Sequence, residues 1–436
     1  MTKKMNRRKF IQQSAALGVL AVAGRSPIAL GAPRRGANEE LRVACLGIRG
    51  QGGGHIHSHA HAKNVRVVTL CDIDERLFGQ RIKMVTDAGA PAPKTEWDFR
   101  RVLDDKDVDC VSIATPNHWH ALATIWACQA GKDVYVEKPC SHNIFEGRKA
   151  VEAAARYKRI VQHGTQARSI RCVREAIRLL HEGIIGDIYM ARACCFKRRD
   201  SIGIKPDSPV PAGVHYNNWL GPAPERAFNE NRFHYEWHWH WDYGNGDIGN
   251  QGVHQMDIAM WGLGKDHELP VKVSSMGGRY TYEDQGQTPN TQIATCQYAD
   301  GKMLVFEVRG RQTNDEWGVG VGNLFYGSKG YMAIRGTGGP FETVIDGQPG
   351  PKGEGGANEA FTNFHAAVRS GKASDLNAPI EVGHYSAAHC HLANIAYRVG
   401  RTLSFDPQAE RFVSDPEADA LLTRDYRAPF VVPQTM

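Results

Sequence analysis

The chain has 436 residues, 42% of them hydrophobic and 23% charged, with 46 glycines and 21 prolines. That composition is globular and excludes disordered, collagen-like and low-complexity classes; the length exceeds what one core usually spans, so two domains are expected. The 53 lysines and arginines against 47 acidic residues give a net charge of +6, which taken alone hints at a polyanionic partner.

The placement of the charges removes that hint. Residues 1–32 hold six basic side chains (Lys3, Lys4, Arg7, Arg8, Lys9 and Arg25) and no acidic one. The rest of the chain carries 47 basic against 47 acidic residues, a balance of zero. The basic start leads into an apolar run from about Ala15 to Ala23, then small residues from Ala29 to Ala32, the plan of an export signal. The run is too short for a membrane span, which needs about 20 residues. Arg7-Arg8, followed by Phe10 and Ile11, resembles a twin-arginine signal, which exports folded proteins. An uncleaved anchor is the alternative. The expectation is a periplasmic protein with a signal at 1–32, a linker at 33–40, and neither a nucleic-acid nor, after export, a membrane partner.

From 41 to 163, short apolar runs alternate with helical patterns. Strands are expected at 41–46, 65–71, 108–114, 133–136 and 160–163, and helices at 75–88, 118–130 and 144–158. Near-continuous apolar strands separated by helices predict a doubly wound parallel sheet. Beyond Gly164 a helix at 171–181 precedes longer strand-like segments at 187–197, 271–282, 291–299, 302–310 and 319–326. The last runs through the turn GSKG into YMAI, a hairpin. This second domain, 164–400, is expected to be α/β with a large, open, mainly antiparallel sheet, helices at 358–370 and 381–400, and a surface tail from 401 to 436. The ten cysteines show no CxxC or zinc spacing, so free thiols are expected.

Directly after the first strand comes GIRGQGGG, residues 47–54. Glycines there allow a tight turn and let backbone N–H groups approach a pyrophosphate at a helix N-terminus. The spacing is imperfect: Gly47 and Gly52 fit the first and third positions of GxGxxG, Arg49 takes the middle one, and Gly50 offers a substitute. Asp72 ends the second strand, placed for ribose hydroxyls and against a 2′-phosphate, which favours NAD over NADP; nearby Arg76 argues the other way. A turn cap is the bland reading of Asp72. The cofactor-binding set is therefore Gly47, Arg49, Gly50, Gln51, Gly52 and Asp72, joined by Thr115, Pro116, Asn117, His120, Glu137 and Lys138 at the ends of two further strands.

The Gly-rich loop, CDID, ATPNHWH and Glu137-Lys138-Pro139 together resemble the glucose–fructose oxidoreductase/inositol dehydrogenase (Gfo/Idh/MocA) family. The resemblance implies a Rossmann domain, an open-sheet domain that often forms an oligomer interface, NAD as cofactor, and a sugar or cyclitol substrate. It places Lys138 at the reaction centre and assigns the acid/base role to a second-domain histidine, here His254. The aspartate expected four residues earlier is Asn250, which cannot take a proton at neutral pH. Asp257, one turn beyond His254, is a candidate to orient the imidazole or a packed polar residue. Arg168 is a candidate substrate contact or an inter-domain salt bridge.

Trp237 and Trp239, within HYEWHWHWDY, offer sugar-stacking faces, although alternating tryptophans equally suit a buried strand. The pairs His55/His59 and His57/His61 fall on different helix faces, and no carboxylate or Cys completes a set, so no metal site is expected. The expected activity is hydride transfer between a sugar or cyclitol hydroxyl carbon and NAD. The alternative is a redox-neutral glycosidase or lyase that keeps NAD bound and oxidises the sugar only transiently.

Overall fold

The computed structural model describes residues 39–436; the expected export signal lies outside the described residues. The first domain carries strands β1 (Leu41–Leu46), β2 (Val65–Cys71), β3 (Lys94–Glu96), β4 (Cys110–Ile113), β5 (Asp133–Val136) and β6 (Val161–His163). Between them run helices α1 (Gln51–Ala60), α2 (Phe78–Asp87), α3 (Phe99–Asp104), α4 (Asn117–Gln129) and α5 (Ile144–Tyr157). The strands pair in parallel in the order β3-β2-β1-β4-β5-β6. All four residues of β4 and of β5 are buried, as a sheet covered by helices on both faces requires. The doubly wound reading holds. Short β3 and α3, which lack a strong apolar period, are additions to it.

Next come α6 (Arg171–His181), β7 (Ile188–Cys195), α7 (Tyr216–Leu220), α8 (Gly246–Asn250) and α9 (Gly252–Gly262). Strands β8 (Lys272–Gly278), β9 (Thr291–Gln297), β10 (Met303–Arg309), β11 (Val321–Gly327), β12 (Gly330–Arg335), β13 (Phe341–Ile345) and β14 (Gln348–Gly353) follow. The chain closes with α10 (Ala360–Ser370), α11 (Ile380–Val399), β15 (Leu403–Asp406), β16 (Arg411–Phe412) and α12 (Pro416–Asp419). Ten strands form one sheet, β14-β13-β12-β11-β7-β10-β9-β8-β15-β16, antiparallel except where β10 meets β7. Strand β14, QPGPKG, escapes sequence patterning because its prolines suit only a sheet edge, which it occupies.

Two expectations are corrected. The segment from 401 does not merely cross the surface: Phe405, Phe412 and Leu422 pack in the second-domain core, and Phe430 and Val432 in the first. The tryptophan-rich segment is no strand; a short 3-10 turn covers Glu236–Trp239.

The long excursion between β7 and α8 crosses back over the first domain. His215 N donates to Ile73 O at 2.8 Å, Glu75 N to Gly213 O at 2.9 Å, and His215 Nε2 meets Glu75 Oε1 at 2.6 Å. His234 Nε2 lies 3.1 Å from Asp74 Oδ2. A strap from the second domain therefore sits on the C-terminal end of β2.

Candidate active site

A cleft of about 330 Å³ opens at the carboxyl ends of β1, β2, β4 and β5, where a doubly wound sheet takes its ligands. Its walls include Gly47, Arg49, Gly50, Gln51, Asp72, Thr115, Pro116, Asn117, His120, Glu137 and Lys138. All but one of the residues expected to bind cofactor thus face one space. The exception is Gly52, which works from behind: a Cβ there would fall 1.8 Å from Gly47 O. Gly47 turns with φ +76°, and a Cβ on it would meet the Ala114–Thr115 backbone at 2.7 Å. Gly50 faces open space.

Asp72 is fixed by backbone donors, Ile48 N at 2.8 Å and Asp74 N at 3.0 Å. Burial raises its pKa to about 6, against the lowering effect of those bonds. Arg76 holds Asp74 through two bonds of 2.6 and 2.7 Å, so its charge is engaged away from Asp72. At the other end, the buried Thr115 Oγ1 has no hydrogen-bond partner. An open glycine turn, a strand-end carboxylate and an orphaned hydroxyl fit a dinucleotide laid from Asp72 toward Lys138.

Glu137 fastens the site. It accepts from Gln166 Nε2 at 3.0 Å, faces His55 Nε2 at 3.1 Å and accepts from Gln51 Nε2 at 3.3 Å. Burial pushes its pKa up, but His55 and Lys138 outweigh that and leave it near 2, a carboxylate. His120 spans two carbonyls, Pro139 O at 2.6 Å and Thr115 O at 2.7 Å, tying the β4 and β5 loops together. Lys138 Nζ donates to Asn250 O at 3.0 Å and lies 3.4 Å from Asn250 Oδ1. Asn250, in the aspartate's place, therefore holds the lysine. Burial lowers the Lys138 pKa, with Glu137 opposing.

The remaining residues separate. His254 Nδ1 is buried without a partner, and burial, then Lys138, draws its pKa down to about 3. Its ring does not line the cleft. Asp257 does not orient it: both carboxylate oxygens lie 2.9 Å from Arg168 Nε, and one accepts from Ser386 Oγ at 2.6 Å. Arg168 also donates to Asp266 at 2.6 Å and lies over the Trp261 ring, so an ion-pair cluster inside the second domain replaces both the substrate contact and the inter-domain bridge. Trp237 lines the cleft; Trp239 does not, its Nε1 donating to Glu236 and its ring lying under Arg199. Asp247 is paired with Arg199 at 2.6 Å.

Sequence reasoning missed Trp97, Phe99, Trp119, Trp219, His234, Tyr235, His238 and Phe430 as cleft walls. The signal for His238 was present in HYEWHWHWDY, where its tryptophans drew the attention. No group of three or more His, Cys, Asp or Glu suited to a metal occurs among the described residues.

Residues 41–165 match the oxidoreductase family's NAD-binding Rossmann fold, and residues 196–432 match the same family's C-terminal alpha/beta domain. The chain belongs to the Gfo/Idh/MocA oxidoreductase family. Its first domain is that family's NAD-binding domain. As a Gfo/Idh/MocA member, the chain is 30% identical over 229 residues to a glycosyl hydrolase family 109 protein of Stenotrophomonas maltophilia (49% of this chain, 47% of that one). It is 26% identical over 211 residues to another from Shewanella pealeana (44% and 46%). The chain spans about half the length of the curated relatives it matches.

Among solved structures, aldose-aldose oxidoreductase from Caulobacter crescentus, complexed with glycerol, superposes with TM-score 0.64 at 18% identity, covering 84% of this chain and all of that one. The WlbA dehydrogenase from Bordetella pertussis, in complex with NADH and UDP-GlcNAcA, gives 0.63 at 17%, covering 84% and 99%. These Gfo/Idh/MocA likenesses are of fold.

Proposed function

We propose that this chain catalyses hydride transfer between NAD and a hydroxyl-bearing carbon of a carbohydrate or cyclitol. The observation that carries this reading is Lys138, half-buried just beyond the end of β5, on the wall of the same cleft as the glycine turn and Asp72. When bound, NAD supplies a two-electron acceptor. The chain supplies everything else. Lys138, held by Asn250, donates to the substrate oxygen and stabilises the charge that develops there. The lysine's charge helps keep a neighbouring imidazole on the cleft wall, His238, neutral, as a proton acceptor must be. Trp237 offers an apolar face for a sugar ring.

The test is a sugar and cyclitol panel read by reduction of bound NAD, in wild type and Lys138→Met. The expected result is reduction in wild type and a loss of about 100-fold or more in the variant. Equal rates would remove Lys138 from the mechanism.

A second reading is favoured by the strap over β2. With residues 213–215 and His234 bonded across the Asp72–Glu75 turn, NAD would leave slowly, which suits a redox-neutral cycle. The relatives named glycosyl hydrolase family 109 support that reading. Release of an aglycone without net NADH formation identifies it.

We propose also that residues 1–32 export the protein to the periplasm, tested by locating a full-length reporter fusion with Arg7-Arg8 intact or replaced by Lys-Lys. The outer face of the large sheet exposes Met276 and Ile293, paired across β8 and β9, and supports a homo-oligomer. Light scattering of the wild type and Met276→Lys tests it, the variant being expected to dissociate.

A further inference from the structure

Taking the hydroxyl-oxidising function as its basis, the geometry points to His238, not His254, as the catalytic residue that receives the substrate's hydroxyl proton.

Four observations converge on His238. First, its ring lines the cleft together with Lys138, whereas His254 does not. Second, its tautomer is determined. His238 Nδ1 lies 2.5 Å from Tyr235 O, and a carbonyl only accepts, so Nδ1 carries the proton. In the neutral ring Nε2 is then an unprotonated acceptor, and it is not among the sealed, unpartnered atoms of the interior.

Third, the ring is held in place. It stacks on Trp237 with centroids 3.6 Å apart and planes 20° apart. Its backbone rests against Gly244, where a Cβ would come within 2.6 Å of His238 O. Fourth, the surroundings keep the ring uncharged, so its Nε2 lone pair is free at neutral pH. Burial lowers its pKa to about 3; the Tyr235 carbonyl opposes this, while Lys138, Arg199 and His120 add to it.

The step balances simply. The substrate O–H bond breaks and its proton forms a bond to Nε2. The freed electron pair closes the new carbonyl as hydride leaves the same carbon for the nicotinamide of the proposed function. The alcohol is oxidised by two electrons and the nicotinamide reduced by two. The Tyr235 carbonyl, already bonded to Nδ1–H, stabilises the imidazolium that results, as a carboxylate does in other histidine bases.

The test uses the full chain and His238→Asn, whose amide can keep the bond to Tyr235 O but cannot act as a base. A merely structural histidine is rescued by this change; a base is not. The expected result is NAD content and sugar KM within about threefold of wild type, with kcat lower by roughly 100-fold or more and recovering as pH rises. A folded, NAD-loaded variant with kcat within threefold of wild type overturns the assignment. If the variant does not load NAD, imidazole ¹⁵N spectra of the wild type decide. An unprotonated Nε2 with a protonated Nδ1 supports the assignment, and a protonated Nε2 overturns it. A wild type that reduces its NAD with no sugar instead sinks the underlying function.

Discussion

Asp257 grips Arg168, with both carboxylate oxygens 2.9 Å from the guanidinium Nε, and so turns away from His254. The pair is fully enclosed, with Ser386 and Asp266 completing its bonds. Removing one charge of such a pair leaves the other buried and uncompensated. Asp257→Asn is therefore expected to lose about 3–5 kcal/mol of stability in denaturant titrations. NAD content per folded molecule should not change. A fall in kcat at full stability would return Asp257 to the chemistry.

The glycine loop makes a steric prediction. In Gly52→Ala the new methyl group meets Gly47 O, which is backbone and cannot rotate away. The loop must shift off the Ala114–Thr115 backbone. Overpacking of this kind costs about 1–3 kcal/mol. NAD affinity is expected to fall tenfold or more by titration calorimetry, whereas Gly50→Ala, facing open space, should fold with normal stability.

Asp72 predicts a pH dependence for cofactor binding. Burial raises its folded pKa from 3.8 to about 6, so ionisation is disfavoured in the fold and stability from this group is lost as pH rises from 4 to 6. Ribose hydroxyls donate to the ionised form, so binding has the opposite slope and strengthens as pH rises toward 6. NAD affinity is expected to weaken about tenfold between pH 7 and pH 5. Asp72→Asn should bind more weakly and lose that slope; a slope retained in the variant would assign it elsewhere.

Buried histidines predict acid lability. His118, His163, His254 and His391 are each drawn down to about 3, by burial above all. They stay neutral in the fold, while in the unfolded chain they gain protons below about 6.5. The unfolded state thus binds more protons, and stability falls as pH drops from 6.5 toward 3. Each such histidine contributes up to about 1.4 kcal/mol per pH unit over that window. Thermal unfolding should move steadily lower between pH 7 and pH 4. A flat profile would show that these imidazoles are hydrated.

The first domain was legible because a parallel sheet buries both faces. LRVACL and DVYV have no other economical reading, and the polar residues that follow must lie at the ligand end. The loop after β1, Asp72 and Lys138 followed directly from that topology. The second domain was legible where strands alternate, as in β9, whose exposed and buried residues follow period two. What remained hidden depends on contacts distant in sequence. Nothing near Asp257 announces Arg168, 89 residues away. Nothing in the tail announces that Phe430 closes the cofactor cleft. HYEWHWHWDY has the composition of a strand, but its turn hands the cleft a histidine and one tryptophan while Trp239 goes to Arg199.

In the proposed function, Lys138 and the glycine turn serve one nicotinamide cleft in which a sugar carbon gives up hydride. The direct measurement is to incubate the purified protein with sugars deuterated at their carbinol carbons, denature it, and analyse the released nucleotide by mass spectrometry. Released NAD(H) carrying deuterium with at least one sugar, and not in Lys138→Met, is the predicted result. Nucleotide released without deuterium from every sugar, at a site that demonstrably binds them, would contradict it.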